Sequence, residues 1–181
     1  AEESMVLLKN ADQILPLKAS EKVAFVGGFA KKPRFQGGGS SHINCFKIAN
    51  ALESVPADAQ VTYAEGFPAD KDLYDEKLAA EAVQAAKAAD KVVIFAGLPD
   101  SFESEGYDRS HMRLPECQNR LIAEILEVQP NTVVVLHNGS PVEMPWINDV
   151  KGILEAYLGG QAGGAAVANI LYGVVNPSGK L

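Results

Sequence analysis

Cysteine, tryptophan, histidine and long apolar runs are all scarce in this 181-residue sequence, and each scarcity removes a class of protein. Its two cysteines, Cys45 and Cys117, lack the spacing of metal ligands, and one bridge between them would not make a disulfide scaffold, so both read as buried thiols. His42, His111 and His137 stand far apart without Cys or Asp partners at ligand spacing, which argues against a metal centre. No run of about 18 apolar residues offers a membrane-spanning helix. Sixteen Lys and Arg against 23 Asp and Glu give a net charge of −7, and the basic residues never gather into a row that would neutralise phosphates. Neither nucleic acid nor an anionic membrane surface is therefore an expected partner. Internal repeats and low-complexity tracts are absent. AEESMVLLKN lacks the basic start and apolar centre of a signal peptide, but a chain that begins inside a larger protein would have lost one, so compartment stays open. The unpaired thiols favour a reducing, cytoplasmic setting over export.

What is present is an ordinary globular composition, 47% hydrophobic and 22% charged, at a length that suits one domain with a sizeable core. Four β-branched runs, Val23 to Val26, Val92 to Ala96, Thr132 to Leu136 and Gly152 to Tyr157, alternate with helical patterns; Gln60 to Ala64 is a weaker edge-strand candidate. Leu73 to Ala89 is an Ala-, Glu- and Lys-rich amphipathic segment, and Pro115 opens a second helix over Glu116 to Val128. Asn44 to Val55 and Gly163 to Tyr172 complete the predicted helices. This alternation predicts an α/β three-layer sandwich of flavodoxin-like type: a mostly parallel sheet of five to six strands with helices on both faces. Such sheets place ligands at the carboxyl ends of the strands. Residues 1–20, with Pro16 and the apolar pairs Val6, Leu7 and Ile14, Leu15, read as a connecting arm packed back onto a domain over 21–181.

Three post-strand loops are candidates for chemistry. Residues 97–109 concentrate five charged side chains, of which Glu103 and Glu105 would serve as general acids if their surroundings raised their pKa values. The plainer reading is a solvated acidic loop in which Asp108 pairs with Arg109. Residues 27–41 carry Lys31, Lys32, Arg34 and the run Gln36-Gly37-Gly38-Gly39-Ser40-Ser41, either a set of backbone N–H groups offered to an anion or a flexible connection. The glycine spacings of dinucleotide and P-loop sites are missing. Residues 137–146 form a rigid Pro- and Gly-containing turn ending at Trp146, the only tryptophan, which favours packing over a sugar platform. No Gly-x-Ser-x-Gly nucleophile elbow occurs.

Taken in order, AEESMVLLKN and ILPL, QGGGSSHIN, ESEGYDRSHMRLPECQNRLI, VVVLHNGSPVEMPW, ILEAYLGGQAGGAAVANILYG and NPSGKL resemble the C-terminal α/β domain of glycoside hydrolase family 3 over essentially the whole chain. The resemblance implies a six-stranded sandwich with five parallel strands and one antiparallel strand. It implies retaining hydrolysis of a β-linked oligosaccharide or glycoside, with an Asp nucleophile from a preceding barrel domain and a Glu acid/base from this one, and no cofactor. Glu103 and Glu105 both fit the acid/base, with Glu105 preferred because Gly106 permits a tight turn. Asp108 and Arg109 would support the loop through a charge-assisted pair. The glycine-rich loop would face the barrel, making Arg34, Gln36, Ser40 and Ser41 candidate substrate contacts. On this reading residues 1–20 are a linker from the barrel, the domain is shortened at its C-terminal end, and the chain alone is inactive. The alternative is a non-enzymatic flavodoxin-like module that binds a small sugar or nucleotide.

Overall fold

The computed structural model describes residues 1–181. Its most apolar segments, KVVIFAG at Lys91–Gly97 and TVVVLH at Thr132–His137, lie side by side in the middle of one sheet, where helices or loops cover both faces. In chain order the strands are β1 (Val6–Asn10), β2 (Lys22–Val26), β3 (Gln60–Ala64), β4 (Lys91–Gly97), β5 (Thr132–His137) and β6 (Gly152–Glu155). The helices are α1 (Glu76–Ala88), α2 (Glu116–Leu126) and α3 (Gly163–Leu171). Across the sheet the order is β1-β6-β5-β4-β2-β3, with β1 antiparallel to β6 and every other pairing parallel. The five-parallel, one-antiparallel expectation holds.

Alternate residues of each strand feed two cores. Val92, Ile94, Val134 and Leu136 face α1 and α2, meeting Ala79, Ala82, Leu121, Ile122 and Ile125. Val93, Phe95, Val133 and Val135 point the other way, onto α3 and Ile14, Leu15 and Leu17. Asp75 caps α1 by accepting from the N–H groups of Lys77 and Leu78, both at 3.0 Å. The open end of α2 is capped from a distance: the Asp72 carboxylate accepts from the Glu116 and Cys117 N–H groups, each at 2.9 Å.

Four expectations need correction. Residues 1–20 are more than an arm, because Val6–Asn10 joins the sheet as its antiparallel edge strand. No helix forms over 44–55. There the Ala49 N–H donates to Gln161 O at 2.9 Å and the Leu52 N–H to Ala30 O at 3.1 Å, so these groups tie the segment to its neighbours instead of to a helical turn. Gly164 has no room for a Cβ against Ala49 and Asn50, so the segment crosses the start of α3 in close contact. The last strand stops at Glu155, with Tyr157 in the left-handed region at φ 53°. Both cysteines are free, Cys117 buried and Cys45 only half-buried.

From β2 the chain goes first to β3 on one side and then, through α1, to β4 on the other. The loops after β2 and β4 therefore diverge at the topological switch point, where sheets of this kind open a crevice.

Candidate functional site

At the C-terminal end of β4 the chain turns outward under tight constraint. Gly97, at φ 147°, lies so close to the His137 backbone that no Cβ would fit. The buried Gln118 of α2 holds it reciprocally, accepting from the Gly97 N–H and donating to the Gly97 carbonyl, both at 2.9 Å. The loop that follows thus leaves the sheet in a fixed direction. Gln118 was not singled out from the sequence; a polar residue on the apolar face of α2 was the available signal.

Arg34, from the loop after β2, gathers this loop around itself. Its guanidinium is buried and donates to the Leu98 carbonyl (2.5 Å), Glu103 Oε2 (2.5 Å), the Glu103 carbonyl (2.9 Å) and Asp100 Oδ1 (3.1 Å). Glu103 also accepts from the Gly139 N–H at 2.9 Å and from the Ser140 hydroxyl. Burial alone would raise the Glu103 pKa, but the Ser140, Gly139 and Arg34 donors outweigh it and hold the carboxyl below its ordinary range. Glu103 is thus a carboxylate held by donors from two other loops. Arg34, expected to touch substrate, is committed to this anchor.

Two residues on, Glu105 sits fully at the surface. Ser104 and Tyr107 pair as a minimal antiparallel bridge, and Gly106 takes φ 89°, the positive angle such a turn needs, so Glu105 is carried at the tip. Its carboxylate accepts from the Ser40 N–H at 2.6 Å and the Ser40 hydroxyl at 2.8 Å, which lower its pKa, backbone bond first. The glycine-rich loop therefore binds an internal carboxylate where the alternative reading would put a phosphate. Gln36 closes that loop on itself through both backbone groups of Ile43, and Ser41 is exposed.

Gly39, at φ 85°, has Glu105 in the space a Cβ would need. Gly39→Ala is expected to free Glu105 from Ser40. The NMR titration midpoint of the Glu105 carboxyl should then move up toward that of an ordinary glutamate, and an unchanged midpoint would show that the contact does not hold the carboxylate.

The expected pair between Asp108 and Arg109 does not form. Arg109 instead donates to Ser140 Oγ (2.9 Å) and the Pro141 carbonyl (2.8 Å), which ties the 97–109 loop to the turn after β5, while Asp108 is exposed and forms no ion pair. Trp146 is buried, with its indole N–H on Asn119 Oδ1 at 3.0 Å, as packing requires.

Behind these loops lie two ionisable groups that the sequence did not mark. Burial pushes the Glu155 carboxyl up to about 7, partly offset by the Tyr157 N–H and Asn138 and reinforced by Glu103. Burial drives His137 down to about 4, and nearby Arg34 adds to this. Between about pH 4.5 and 6.5 the unfolded chain binds a proton on histidine and none on glutamate, whereas the fold binds one on Glu155 and none on His137. The two contributions cancel in slope. Glu155→Gln removes the folded-state proton, so stability relative to wild type should rise with pH by about 1.4 kcal/mol per unit across that window. Urea unfolding at several pH values measures this; parallel curves for the two proteins would contradict it.

Comparison with known proteins places this geometry. Residues 5–181 match the family described as Glycosyl hydrolase family 3 C-terminal domain. The chain is 57% identical over 185 residues to the thermostable beta-glucosidase B of Acetivibrio thermocellus, covering 100% of this chain and 24% of that protein. It is 45% identical over 190 residues to an exo-alpha-(1->6)-L-arabinopyranosidase of Bifidobacterium longum, covering 99% of this chain and 25% of that one. Among solved structures, a GH3 beta-glucosidase from Bifidobacterium adolescentis superposes with a TM-score of 0.92 at 48% identity, over 97% of this chain and 26% of the other. The chain thus spans about a quarter of the length of these relatives.

Proposed function

This chain belongs to the glycosyl hydrolase family 3 C-terminal domain family, and on that premise we propose that it supplies the general acid/base of a retaining glycosidase, with Glu105 as that group and Glu103 as the anchor of its loop. The observation that carries this is the contrast between the two carboxylates. Glu103 is enclosed by three donors, whereas Glu105 stands exposed at the tip of a turn with one partner, Ser40, on a neighbouring loop.

Double displacement needs two carboxyl groups about 5 to 5.5 Å apart, one to attack the anomeric carbon and one to protonate the departing oxygen. Glu105 fills the second role and then, as carboxylate, takes a proton from the water that releases the sugar. The first carboxylate comes from a barrel domain in the larger polypeptide. A second carboxylate close by, and removal of water on domain closure, would raise the Glu105 pKa, which the Ser40 bonds lower here, into the range of an acid. The isolated chain is inactive on this reading. The substrate is a terminal glycoside, and β-glucosides are the first to test, because the relative at 57% identity is a beta-glucosidase. The arabinopyranosidase at 45% identity makes an arabinopyranoside the second substrate to test.

The test compares Glu105→Gln with Glu103→Gln in the longest natural reading frame that contains residues 1–181. Glu105→Gln should keep the wild-type melting temperature and lose turnover, while Glu103→Gln should lower the melting temperature. The reverse pattern would move the acid/base role to Glu103.

A further inference from the structure

Glu155 ends β6 behind the turn after β5, only 6% exposed, and none of the chemistry above uses it. Its Oε1 accepts from the Tyr157 N–H at 3.0 Å and its Oε2 from Asn138 Nδ2 at 3.2 Å. The same Asn138 Nδ2 donates to the Ser140 carbonyl at 3.1 Å, while Asn138 Oδ1 is buried without a partner. One residue further, the Gly139 N–H and the Ser140 hydroxyl hold Glu103, two positions before Glu105.

We propose that Glu155 is a positioning residue for the Glu105 loop, acting through Asn138 as a proton-sensitive latch on the 138–140 turn. The inference rests on the reading of Glu105 as the acid/base, and the chemistry of the latch follows from donor and acceptor counts. An ionised Glu155 only accepts, which suits the Asn138 NH2 group pointed at it. Because the Tyr157 N–H keeps Oε1 as its acceptor, a proton taken up by Glu155 sits on Oε2 and brings an O–H donor against that NH2. The nearby free acceptor is Asn138 Oδ1, reached by turning the amide over, and that turn withdraws Nδ2 from the Ser140 carbonyl. Each protonation state of Glu155 thus selects its own arrangement of Asn138 and Ser140, and so the direction from which Gly139 and Ser140 hold Glu103.

The charged and titratable groups around Glu155 come from two loops and one strand. Glu103 approaches from the loop after β4, Arg34 from the loop after β2 behind Glu103, Arg109 through Ser140, and His137 from the end of β5. Val6 of β1, paired with Glu155, adds no charge. With burial and Glu103 raising Glu155 to about 7, the latch changes state near neutrality.

NMR on the 181-residue chain tests this without any activity assay. The Glu155 carboxyl, the Asn138 side-chain amide and the Gly139 backbone amide should titrate together between about pH 5.5 and about 8.5. Glu155→Gln should abolish the step at Gly139. Asn138→Ala should leave the Glu155 carboxyl titrating but silence Gly139, and it decides the matter if Glu155→Gln fails to fold. A Gly139 amide that does not respond while Glu155 titrates, or a Gly139 step that survives in either variant, would overturn the latch. Failure of the acid/base reading of Glu105 would leave this titration in place, so the two outcomes are separable.

Discussion

Glu105→Gln, in the longest natural reading frame around this chain, is expected to lower kcat/KM for a phenyl or alkyl glycoside by roughly a hundred- to ten-thousand-fold, the usual span of general acid catalysis. The same change should alter kcat/KM for a dinitrophenyl glycoside by less than about tenfold, because that leaving group departs without a proton. The comparison uses kcat/KM because it reports the first, acid-assisted displacement, whereas kcat would mix in the base-assisted release of the sugar. Dependence on the leaving group separates the proposed role from damage to the fold, which would slow both substrates alike. Equal losses on both would remove Glu105 from the role of acid.

Arg34→Met is expected to cost about 3 to 5 kcal/mol of stability, a large share of the roughly 5 to 15 kcal/mol typical of a domain. Very little of this comes from Asp100, whose side chain is 63% exposed. The loss arises because Glu103, with a side chain only 18% exposed, is left without its cation, and the Leu98 and Glu103 carbonyls lose their donors. Combining Arg34→Met with Glu103→Gln should recover part of the loss, since no uncompensated buried charge then remains. Arg34→Lys should not restore stability, because one ammonium cannot reach in the four directions that the guanidinium fork serves. Urea unfolding of the four proteins measures all three statements. A loss below about 1 kcal/mol for Arg34→Met would mean the pair behaves as a surface ion pair.

The layered fold was legible because its signals are local. The valine-rich runs of β4 and β5, the alanine stripe of α1 and Pro115 ahead of α2 each announce an element from a few adjacent residues. What escaped depends on distant partners. VLLKN becomes a strand because β6 offers its edge about 145 residues later in the chain, a pairing that no local pattern encodes. Residues 44–55 have helical spacing, yet their backbone groups are taken by Ala30 and Gln161. The loop after β4 was recognisable from its crowd of carboxylates, and Gly106 correctly signalled the turn. The division between Glu103 and Glu105 was not readable, because it is made by Arg34, Gly139 and Ser140 from two other loops. For the same reason Arg34 was read as a candidate substrate contact, and Asp108 and Arg109, adjacent in sequence, looked like a pair although Arg109 reaches to Ser140.

Most directly, the proposed divided active site is tested by assaying phenyl β-glucoside with the 181-residue chain alone and with the longest natural reading frame that contains it. Turnover by the longer polypeptide, none by the chain alone, and loss of that turnover in Glu105→Gln is the expected result. Clear hydrolysis by the chain alone would place the attacking carboxylate within these residues and contradict the assignment of Glu105 as one half of a site completed elsewhere.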